Sequence, residues 1–398
     1  MAAVHRSGLG SALGALLALG CIASSPAYAA DLIVSANDGK YVRVEGKSTY
    51  PQPAPSDSLA ILDASQSPPT LKAVVEGIEH TISGPPQAVA ITPDGKLAVI
   101  GAPSRYDYDA KKESFGTYLQ IVDLEASPPK LTGKVEIGAH PNGLAINPEG
   151  TLLLAAATDG TVKVVSISGK DLKLADTIKV GEKRLSGASF THDGKAALVA
   201  LRDEGGLAVL EVDGQTVKLT NERISTGIGP YNIDVSSDGK WAAVGNAGLG
   251  GLMGRTSPGD ADLVTLIDVS KRPFRAIQHL TVPAVPEGVA LSPDGKWLVA
   301  QCMNGSNLTP SDPGPGRQKL GKVVLFSLGD DGATKAGELP GGEAAQGIVF
   351  AGDSRTILVQ FDVEKALAVY QVRDGKLADT EARIKLDAGP VSIRTMPR

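Results

Sequence analysis

Six copies of one ten-residue pattern run along this 398-residue chain, and a seventh copy is cut short by the C-terminus. A typical copy begins with Pro, continues as a short apolar run and ends in Pro-Asp-Gly or a close variant. The ending is hairpin chemistry, because Pro restricts φ, Asp bonds its own backbone and Gly accepts positive φ. Self-similarity at a fixed period indicates a repeat architecture. The copies are Pro86–Gly95, Pro141–Gly150, Leu185–Gly194, Pro230–Gly239, Pro286–Gly295, Ala345–Ser354 and the truncated Pro390–Pro397.

Each copy is followed by three further strand-like segments. In the first repeat, an apolar second strand at Lys96–Ile100 precedes an alternating third strand at Tyr118–Asp123, and a more polar fourth strand follows in each unit. Four strands per repeat, with the outermost the most polar, are typical of a propeller blade. The turn positions of successive copies lie 44 to 59 residues apart. A bare blade needs about 40–45 residues, so the longer units carry inserted loops.

The two ends of the chain supply one further blade. Its first strand is Pro390–Met396, and its second, third and fourth strands are Asp31–Ser35, Ser58–Leu62 and Leu71–Val75. Pairing the C-terminal strand with the N-terminal strands leaves no free sheet edge in the ring. The sequence therefore predicts an all-β, seven-bladed β-propeller of four-stranded antiparallel blades, with this split blade as blade 1.

The N-terminus has the pattern of a secretory signal peptide. Arg6 precedes an apolar run at Leu9–Ala23, and Ala27-Tyr28-Ala29 is a small-x-small cleavage site. We expect cleavage after Ala29, leaving residues 30–398 as a single propeller domain in the periplasm or outside the cell. Lipidation at Cys21 is the alternative, although Ala18-Leu19-Gly20 is a poor lipobox.

Composition excludes several classes of function. The net charge is −5 and no Lys/Arg cluster occurs, which argues against nucleic-acid binding. Once the leader is removed, Cys302 is the single cysteine, so no intramolecular disulfide can form, and we expect a small buried strand residue there. The sequence has no Cys-x-x-Cys-His, which excludes covalent c-type haem.

Two of the repeats resemble those of a known family. The blocks Ala139–Gly150 and Pro286–Lys296 are similar to the repeats of YVTN-type propellers and of the seven-bladed lactonase-like family. The resemblance covers nearly the whole mature chain and implies the propeller fold. Members include lactone hydrolases, a lactone-forming cyclase and many binding or scaffold proteins. The Pro-Arg-His block of the sugar-lactonase branch is absent, and only Ala139–Asn142 comes close, which disfavours a sugar-lactonase activity.

Function is expected on one face of the ring. Loops that enter a first strand and loops that join second to third strands share that face, and long loops on a rigid scaffold are where binding usually resides. The second-to-third loops are short in blades 3, 4 and 7. Tyr106 adds an aromatic group to one of the long loops. The Gly-rich stretch Gly248–Gly254 lacks the Gly-Lys-Ser/Thr ending of a phosphate loop, and we expect no helix after it. The long loops are Asn37–Asp57, Pro103–Gly116, Ala247–Asp260 and Met303–Lys319.

The channel mouth on that face offers polar residues from several blades. His140 and Glu287 are candidates for an acid/base pair, because their side chains can change protonation near neutral pH. Arg184 is the candidate partner for an oxyanion or a carboxylate. The alternative is that these groups are polar only because a channel mouth holds water. The candidate ligand-binding residues are Gln87, Asn142, Tyr231, Asn232, Gln346 and Tyr106.

No cofactor is expected, since a histidine cluster with ligand spacing is missing. Asp260 with Asp262, and Asp107 with Asp109, are considered as oxygen ligands for calcium. Strong scaffold signals without a catalytic constellation favour a monomeric, exported binding or scaffold protein, with a small molecule or a periplasmic protein as partner. The competing hypothesis is a lactone hydrolase or cyclase acting at the channel mouth, and an accessory subunit of a redox enzyme is a third.

Overall fold

The computed structural model describes residues 1–3, 31–253, 262–311 and 316–397. Seven four-stranded antiparallel sheets follow one another along these residues, and their innermost strands contact each other in turn around a closed circle. The predicted seven-bladed propeller is confirmed. The predicted leader, beyond its first three residues, lies outside the described residues.

The blades are numbered from the split blade, and their strands run from the channel outwards. Blade 1 consists of β32 (Gly389–Thr395), β1 (Leu32–Asp38), β4 (Ser58–Asp63) and β5 (Thr70–Glu76); blade 2 of β6 (Val89–Ile91), β7 (Leu97–Ile100), β10 (Tyr118–Asp123) and β11 (Lys130–Glu136); blade 3 of β12 (Pro141–Ile146), β13 (Leu152–Ala157), β14 (Thr161–Ser168) and β15 (Asp171–Lys179).

Blade 4 consists of β16 (Ala188–Phe190), β17 (Ala196–Ala200), β18 (Leu207–Asp213) and β19 (Thr216–Ile224); blade 5 of β20 (Pro230–Val235), β21 (Trp241–Asn246), β22 (Asp262–Asp268) and β23 (Arg275–Val282); blade 6 of β24 (Pro286–Leu291), β25 (Trp297–Cys302), β26 (Lys322–Gly329) and β27 (Gly332–Pro340); blade 7 of β28 (Ile348–Phe350), β29 (Thr356–Phe361), β30 (Ala366–Arg373) and β31 (Lys376–Lys385).

The ring closes in the predicted way. The C-terminal strand β32 pairs antiparallel with β1, with Ile33 opposite Thr395 and Ser35 opposite Ile393. The buried ring of His80 strengthens the closure, since its Nε2 lies 2.9 Å from the hydroxyl of Ser392. The first blade is thus held by backbone and side-chain bonds between the two ends of the chain.

The repeat endings form the predicted hairpin turns. In blade 2, Asp94 accepts hydrogen bonds from the Thr92 hydroxyl at 2.6 Å and from the Lys96 amide at 3.1 Å. Gly95 has a φ of +69°, a conformation that a Cβ would strain. We call the end of the ring that carries these turns the turn face, and the opposite end the looped face.

The apolar core lies between neighbouring blades. One cluster, for example, packs Leu154 of blade 3 against Val199 of blade 4, and both side chains are fully buried. Complete burial of such a side chain stabilises the fold by about 1.5–3 kcal/mol. Cys302, which lies in a similar cluster between blades 5 and 6, is buried, as the sequence predicts.

The long loops contain structure that the sequence did not reveal. The loop of blade 1 forms a hairpin of β2 (Val42–Val44) and β3 (Lys47–Thr49), and the loop of blade 2 forms a hairpin of β8 (Ser104–Asp107) and β9 (Lys112–Phe115). The Gly-rich stretch of blade 5, expected to be irregular, begins as a short helix α1 (Gly248–Met253).

Packing explains why α1 forms despite its glycines. A Cβ added at Gly250 would lie 3.2 Å from the side chain of Val285, and one added at Gly251 would lie 2.4 Å from Ala247. The missing side chain at Gly250 lets the helix approach Val285 at the entry to blade 6, and the missing side chain at Gly251 avoids a clash with Ala247 at the start of the helix itself. Tertiary contact here overrides the low intrinsic helix propensity of glycine.

Candidate functional site

Buried polar atoms without a partner concentrate at the looped face. Among the described residues, eleven buried side-chain nitrogen or oxygen atoms have no hydrogen-bond partner, and each belongs to a loop or to a strand end on that face. In native proteins almost every buried polar atom is satisfied, so such a concentration needs an explanation in solvent or ligand. These atoms come from Asn142, Arg202, Asn246, Gln301, Asn307, Arg317, Asp362 and Glu364.

Five side chains form what we call the mouth cluster, at the channel opening of the looped face. Two are second residues of first strands, two follow the ends of second strands, and one comes from the β2–β3 hairpin. Because each belongs to a different blade, their convergence depends on closure of the ring. The members of the mouth cluster are Arg43, Arg202, Tyr231, Glu287 and Asp362.

Arg202 is the central cation of this cluster. Its guanidinium carbon lies 3.8 Å from the ring centre of Tyr231, and its Nη2 donates a hydrogen bond of 3.0 Å to the carbonyl of Gly251. Its Nε and Nη1 have no partner among the described residues, although the side chain is buried. Burial lowers the pKa of Arg202, but guanidinium groups in proteins stay charged. Arg202 therefore presents unused donors in a region with little water.

Two carboxyl groups accompany this cation. Burial raises the pKa of Glu287 to about 7, and the positive charges of Arg202 and Arg43 oppose that rise. Burial, with a smaller contribution from the charge of Asp38, also raises the pKa of Asp362 well above its usual range. Neither oxygen of Asp362 has a partner within hydrogen-bond distance and angle in the described ranges, and the backbone amide of Arg43 is near enough to favour the charged form of this carboxyl without bonding it fully. The cluster thus holds two carboxyl groups with raised pKa values beside two fixed cations, and that of Glu287 is near neutral pH.

The hairpin of blade 1 delivers Arg43 to this position. Its tip reaches blade 7, where the amide of Glu45 donates to the carboxylate of Glu343 at 2.5 Å. At Gly46, which has a φ of +73°, a Cβ would lie 2.4 Å from the backbone of Leu308 in the loop of blade 6. The hairpin therefore covers part of the looped face at blade 7. The second-to-third loop of that blade is short, but the hairpin encloses the face more than this short loop suggests.

The other two predicted catalytic residues lie in separate surroundings. His140 is half-buried, its Nδ1 lies 2.9 Å from the carbonyl of Gly116, and its ring meets Phe115 edge to face at 5.0 Å. Burial lowers the pKa of His140. No hydrogen bond or ion pair joins His140 to Glu287 in the described part of the chain. The acid/base pair stays a prediction, and the two groups are not in direct contact.

Arg184 lies at the rim of the mouth cluster. It forms a two-point ion pair with Asp203, with Nη2 to Oδ1 at 3.0 Å and Nε to Oδ2 at 3.2 Å. Its charge also contributes to the field at Tyr231 and Arg202. The sequence predicts that Arg184 binds the carboxylate or oxyanion of a ligand, but the carboxylate of Asp203 already occupies that position on its guanidinium. Arg202, two residues beyond the end of β17, presents the free donors instead.

The predicted amide ligands bond the protein itself. Gln87 of blade 2 donates from Nε2 to the carbonyl of Ala188 in blade 4 at 2.7 Å and accepts at Oε1 from the amide of Ile233 in blade 5 at 2.8 Å. Asn232 donates to Gln87 Oε1 at 3.2 Å and accepts from the amide of Val289 in blade 6 at 2.6 Å. These bonds cross the channel below the mouth cluster and connect four blades.

The remaining two amides are also tied to backbone. Asn142 donates to the carbonyl of Leu185 at 2.8 Å, and its Oδ1 is one of the unpartnered atoms. Gln346 donates to the carbonyl of Ala344 at 2.9 Å. Ligand contacts by the four amides stay predictions, whereas their role in joining loops and blades follows from these bonds.

Tyr106 belongs to an aromatic group beside the mouth. Its ring stacks on Tyr50 with centroids 3.6 Å apart, Tyr41 meets Tyr50 edge to face at 5.3 Å, and Tyr108 meets Tyr106 at 4.9 Å. The hydroxyl of Tyr41 accepts a hydrogen bond of 3.1 Å from Nε of Arg43. The group links the hairpins of blades 1 and 2 and positions Arg43.

Sequence reasoning missed Arg43, Arg202 and Asp362. The latter two follow second strands in loops that are too short to attract attention, and Arg43 lies in the middle of a long one. The sequence did contain a usable signal for Arg202 and Asp362. A charged residue directly after a second strand lies at the end of the loop that is nearest the channel.

Cation sites receive little support. Within the described residues no group of three or more His, Cys, Asp or Glu is arranged to hold a metal ion. Asp107 Oδ1 accepts the amides of Asp109 and Ala110 in its own turn, and Asp262 accepts the amide of Val285 at 2.7 Å. Asp260 lies outside the described residues. No helix in the described ranges has the length and apolar character needed to cross a membrane.

Comparison with protein families gives one short match. The family model described as WD domain, G-beta repeat matches residues 133–166, which run from the outer strand of blade 2 into blade 3. No curated protein matches the sequence. The match supports a propeller repeat and is too short to assign the whole chain to a family.

Solved structures share the fold. A candidate 6-phosphogluconolactonase from Bacteroides fragilis is 17% identical, with a TM-score of 0.67 over 94% of this chain and 99% of that one. The periplasmic gluconolactonase of Pseudomonas aeruginosa is 16% identical, with a TM-score of 0.63 over 92% of this chain and 99% of that one. Hydrazine synthase of Kuenenia stuttgartiensis is 21% identical, with a TM-score of 0.55 over 74% of this chain and 78% of that one. Such distant similarity shows a common architecture, and function has to be argued from the site.

Proposed function

We propose that this chain is an exported, monomeric propeller that binds a small ligand carrying a carboxylate and hydroxyl groups at the mouth cluster. The observation that carries the proposal is the set of buried, unpartnered polar atoms there, above all Nε and Nη1 of Arg202 and both oxygens of Asp362. A buried polar atom without a partner costs about 1–3 kcal/mol. A site that keeps several of them gains that free energy when a ligand satisfies them.

The chemistry of the cluster selects the ligand class. Guanidinium donors fit the oxygens of a carboxylate, and a hydrogen bond between opposite charges is about twice as strong as a neutral one. The carboxyl groups of Asp362 and Glu287 accept hydrogen bonds from hydroxyl groups, and when protonated, as their raised pKa values favour, each also donates one to a hydroxyl oxygen. The ring of Tyr231, which carries Arg202 on its face, keeps the cation in place without using its remaining donors.

Binding is tested by calorimetry with gluconate as the probe and sorbitol as the neutral polyol control. We expect gluconate to bind and sorbitol to bind at least about tenfold more weakly, because sorbitol lacks the charge that Arg202 recognises. Arg202→Gln and Asp362→Asn should each weaken gluconate binding by about tenfold or more.

Arg272→Gln is the matched control, since Arg272 also lies near an aromatic ring, at 4.9 Å from that of Phe274, and pairs with a carboxylate, Glu222, at 2.9 Å. It belongs to the outer part of blade 5, away from the channel. Equal affinity in wild type, Arg202→Gln and Asp362→Asn would refute the proposed site.

A second candidate is lactone hydrolysis at the same cluster. Glu287, with a pKa of about 7, is suited to take a proton from water as the water attacks a lactone carbonyl, and Arg202 to stabilise the oxyanion that forms. Collapse of the tetrahedral intermediate breaks the ring C–O bond, and the alkoxide takes the proton from Glu287. The product is a hydroxy acid, which releases its carboxyl proton to solvent and becomes a hydroxy-carboxylate, the ligand class proposed above. The two gluconolactonase-type structural neighbours are consistent with this chemistry.

Hydrolysis is tested with δ-gluconolactone after subtraction of the spontaneous rate. A catalysed rate should be lost in Glu287→Gln and retained in Arg272→Gln. A wild-type rate equal to the spontaneous rate would refute the proposed hydrolase activity and would leave the proposed ligand binding untouched. A rate that survives Glu287→Gln and disappears in His140→Ala would assign the base to His140 instead.

A further inference from the structure

A cavity opens at the turn face, at the end of the channel opposite the mouth cluster. It measures about 130 Å³, and residues from the innermost strands of all seven blades line it. Its rim consists of turn residues such as Pro148, His192 and Pro293. An enclosed engineered cavity of about 150 Å³ holds a benzene molecule. This cavity is slightly smaller but opens to solvent among the turns, so it accepts one ring whose polar end reaches the opening.

The channel does not connect this cavity with the mouth cluster. Gln87 and Asn232 cross the channel with bonds to blades 4, 5 and 6. Nearer the turn face, Arg394 of blade 1 reaches across to blade 5, where its Nη1 lies 3.3 Å from Oδ1 of Asp234 and its Nη2 donates to the carbonyl of Ile233 at 3.3 Å. The turn-face cavity is therefore a separate compartment with this ion pair among its lining residues.

The two partners of the ion pair differ in how much of their hydrogen-bonding capacity is still unused. Asp234 accepts from Arg394 at one oxygen and from the amide of Leu291 at the other, at 2.8 Å. Arg394 uses two of its guanidinium donors on described residues, out of the five that the group carries. An anion can thus bind Arg394 without displacing anything, whereas a cation would have to compete with Arg394 for Asp234.

Polar and apolar groups share the walls around this charge almost equally. The apolar lining residues include Ile91, Leu144, Phe190, Leu291 and Phe350 from five different blades, whose side chains are at most 6% exposed. Apolar surface combined with polar groups that fix orientation is the usual design of a small-molecule site.

Acidic residues in the turns do not cancel the preference for an anion. Each is bound within its own turn, as Asp294 is by the Ser292 hydroxyl at 2.6 Å and the Lys296 amide at 3.2 Å. A basic residue follows two positions later in most of the turns, Lys96 and Lys296 being examples. The rim is therefore nearly balanced in charge, and inside the cavity, where Arg394 and Asp234 form an ion pair, the unused donors of Arg394 favour an anion.

We propose that the turn-face cavity binds a small monocarboxylate with an apolar body of ring size, its carboxylate on Arg394 and its body against the apolar lining residues. This site is independent of the mouth cluster in position and in ligand class, since it selects an apolar acid rather than a hydroxy acid.

The test uses benzoate as the probe on the mature protein, with benzyl alcohol and benzylamine as neutral and cationic counterparts of similar size. Binding is measured by saturation-transfer NMR and calorimetry. We expect benzoate to bind at least about tenfold more tightly than either counterpart. Arg394→Gln should reduce benzoate affinity by about tenfold or more, because the charge partner is removed.

Ser189→Leu provides a second variant that keeps every charge. Ser189 lines the cavity and its hydroxyl makes no side-chain hydrogen bond to the described residues, so the larger side chain fills space without breaking a bond. Ser189→Leu should also reduce benzoate affinity by about tenfold or more, and Arg272→Gln should leave it unchanged. Thermal melts establish that each variant is folded, and Ser189→Leu carries the test if Arg394→Gln is not.

Three results would overturn the proposal. One is no saturable binding of benzoate up to about 10 mM. Another is benzoate affinity that is unchanged in folded Arg394→Gln or in Ser189→Leu. The last is a preference for benzylamine that is lost in Asp234→Asn, which would make the site one for cations.

Discussion

The guanidinium of Arg202 rests on the ring of Tyr231, 3.8 Å from its centre, while two of its three nitrogens have no partner among the described residues. The hydroxyl of Tyr231 is occupied by the carbonyl of Gly84 at 2.9 Å, so the ring cannot turn away. The pair fixes the cation in position and leaves its hydrogen-bonding capacity unfilled. The behaviour expected of Arg202→Met depends on this difference between fixing a cation in position and providing acceptors for its hydrogen-bond donors.

Replacing Arg202 by Met should separate stability from binding. The variant loses a cation–π contact of about 2 kcal/mol and one hydrogen bond of about 1 kcal/mol. It also removes two buried unsatisfied donors that cost about 1–3 kcal/mol each. We expect the free energy of unfolding, from urea denaturation, to lie between about 1 kcal/mol below and about 3 kcal/mol above that of wild type, while gluconate binding is lost. A loss of about 3 kcal/mol or more would mean that Arg202 is mainly structural.

Glu287→Gln should change how stability depends on pH. The pKa of Glu287 is raised to about 7 in the folded protein, so the folded state holds a proton that the unfolded chain releases near the ordinary value of 4.5. The stability linked to this proton is complete below about 4.5 and is lost as the pH rises through about 7. Between pH 5 and 8 the unfolding free energy of wild type should fall relative to that of Glu287→Gln by up to about 3 kcal/mol. Parallel urea curves at four pH values measure the difference, and a constant difference across the range would contradict the assignment.

Lys40→Met should destabilise the loop side of blade 1. The Lys40 ammonium lies 3.0 Å from Asp38 and 2.7 Å from Asp57, and all three side chains are at most 10% exposed. Removing the cation leaves two buried carboxylates without their partner, which costs about 3–5 kcal/mol.

Lys96→Met is the control for that variant, because its ammonium lies 3.8 Å from Asp94 and from Glu125 with half of the side chain in solvent. Its unfolding free energy should stay within about 0.5 kcal/mol of wild type. Equal effects of the two substitutions would show that the buried cluster is no stronger than a surface pair.

Gln87→Leu should weaken the ring itself. The substitution leaves the carbonyl of Ala188 and the amide of Ile233 without their partners in a fully buried place. We expect a loss of about 2–4 kcal/mol in unfolding free energy, since each buried unsatisfied group costs about 1–3 kcal/mol. Gln215→Leu, which removes an exposed contact of 3.4 Å to Thr151, should have almost no effect. A loss below about 1 kcal/mol for Gln87→Leu would argue against a role in holding the blades together.

The parts of the fold that follow from local chemistry could be predicted from the sequence. The turn at Asp94 and Gly95 depends on residues within five positions of one another, and the same chemistry recurs in the other repeats. Ring closure was predictable for the same reason, since Pro390 to the C-terminus reproduces the start of a repeat that the N-terminal strands complete.

The site was less accessible, because its geometry depends on contacts that span the ring. Arg43 is brought to Glu287 by a hairpin whose tip meets Glu343, almost 300 residues away in the chain. Gln87 looked like a free polar group because its partners belong to blades 4 and 5. A single sequence indicates which residues face the channel, but not which of them bond each other and which remain for a ligand.

The bonds that cross the channel at Gln87 and Arg394 mean that this propeller is not a conduit. A solute that enters at the looped face has to leave by the same face, and one that enters among the turns returns there. Exchange at each end therefore depends on its own rim, so that a substitution in the β2–β3 hairpin should change how long a molecule stays at the looped face without affecting the turn face.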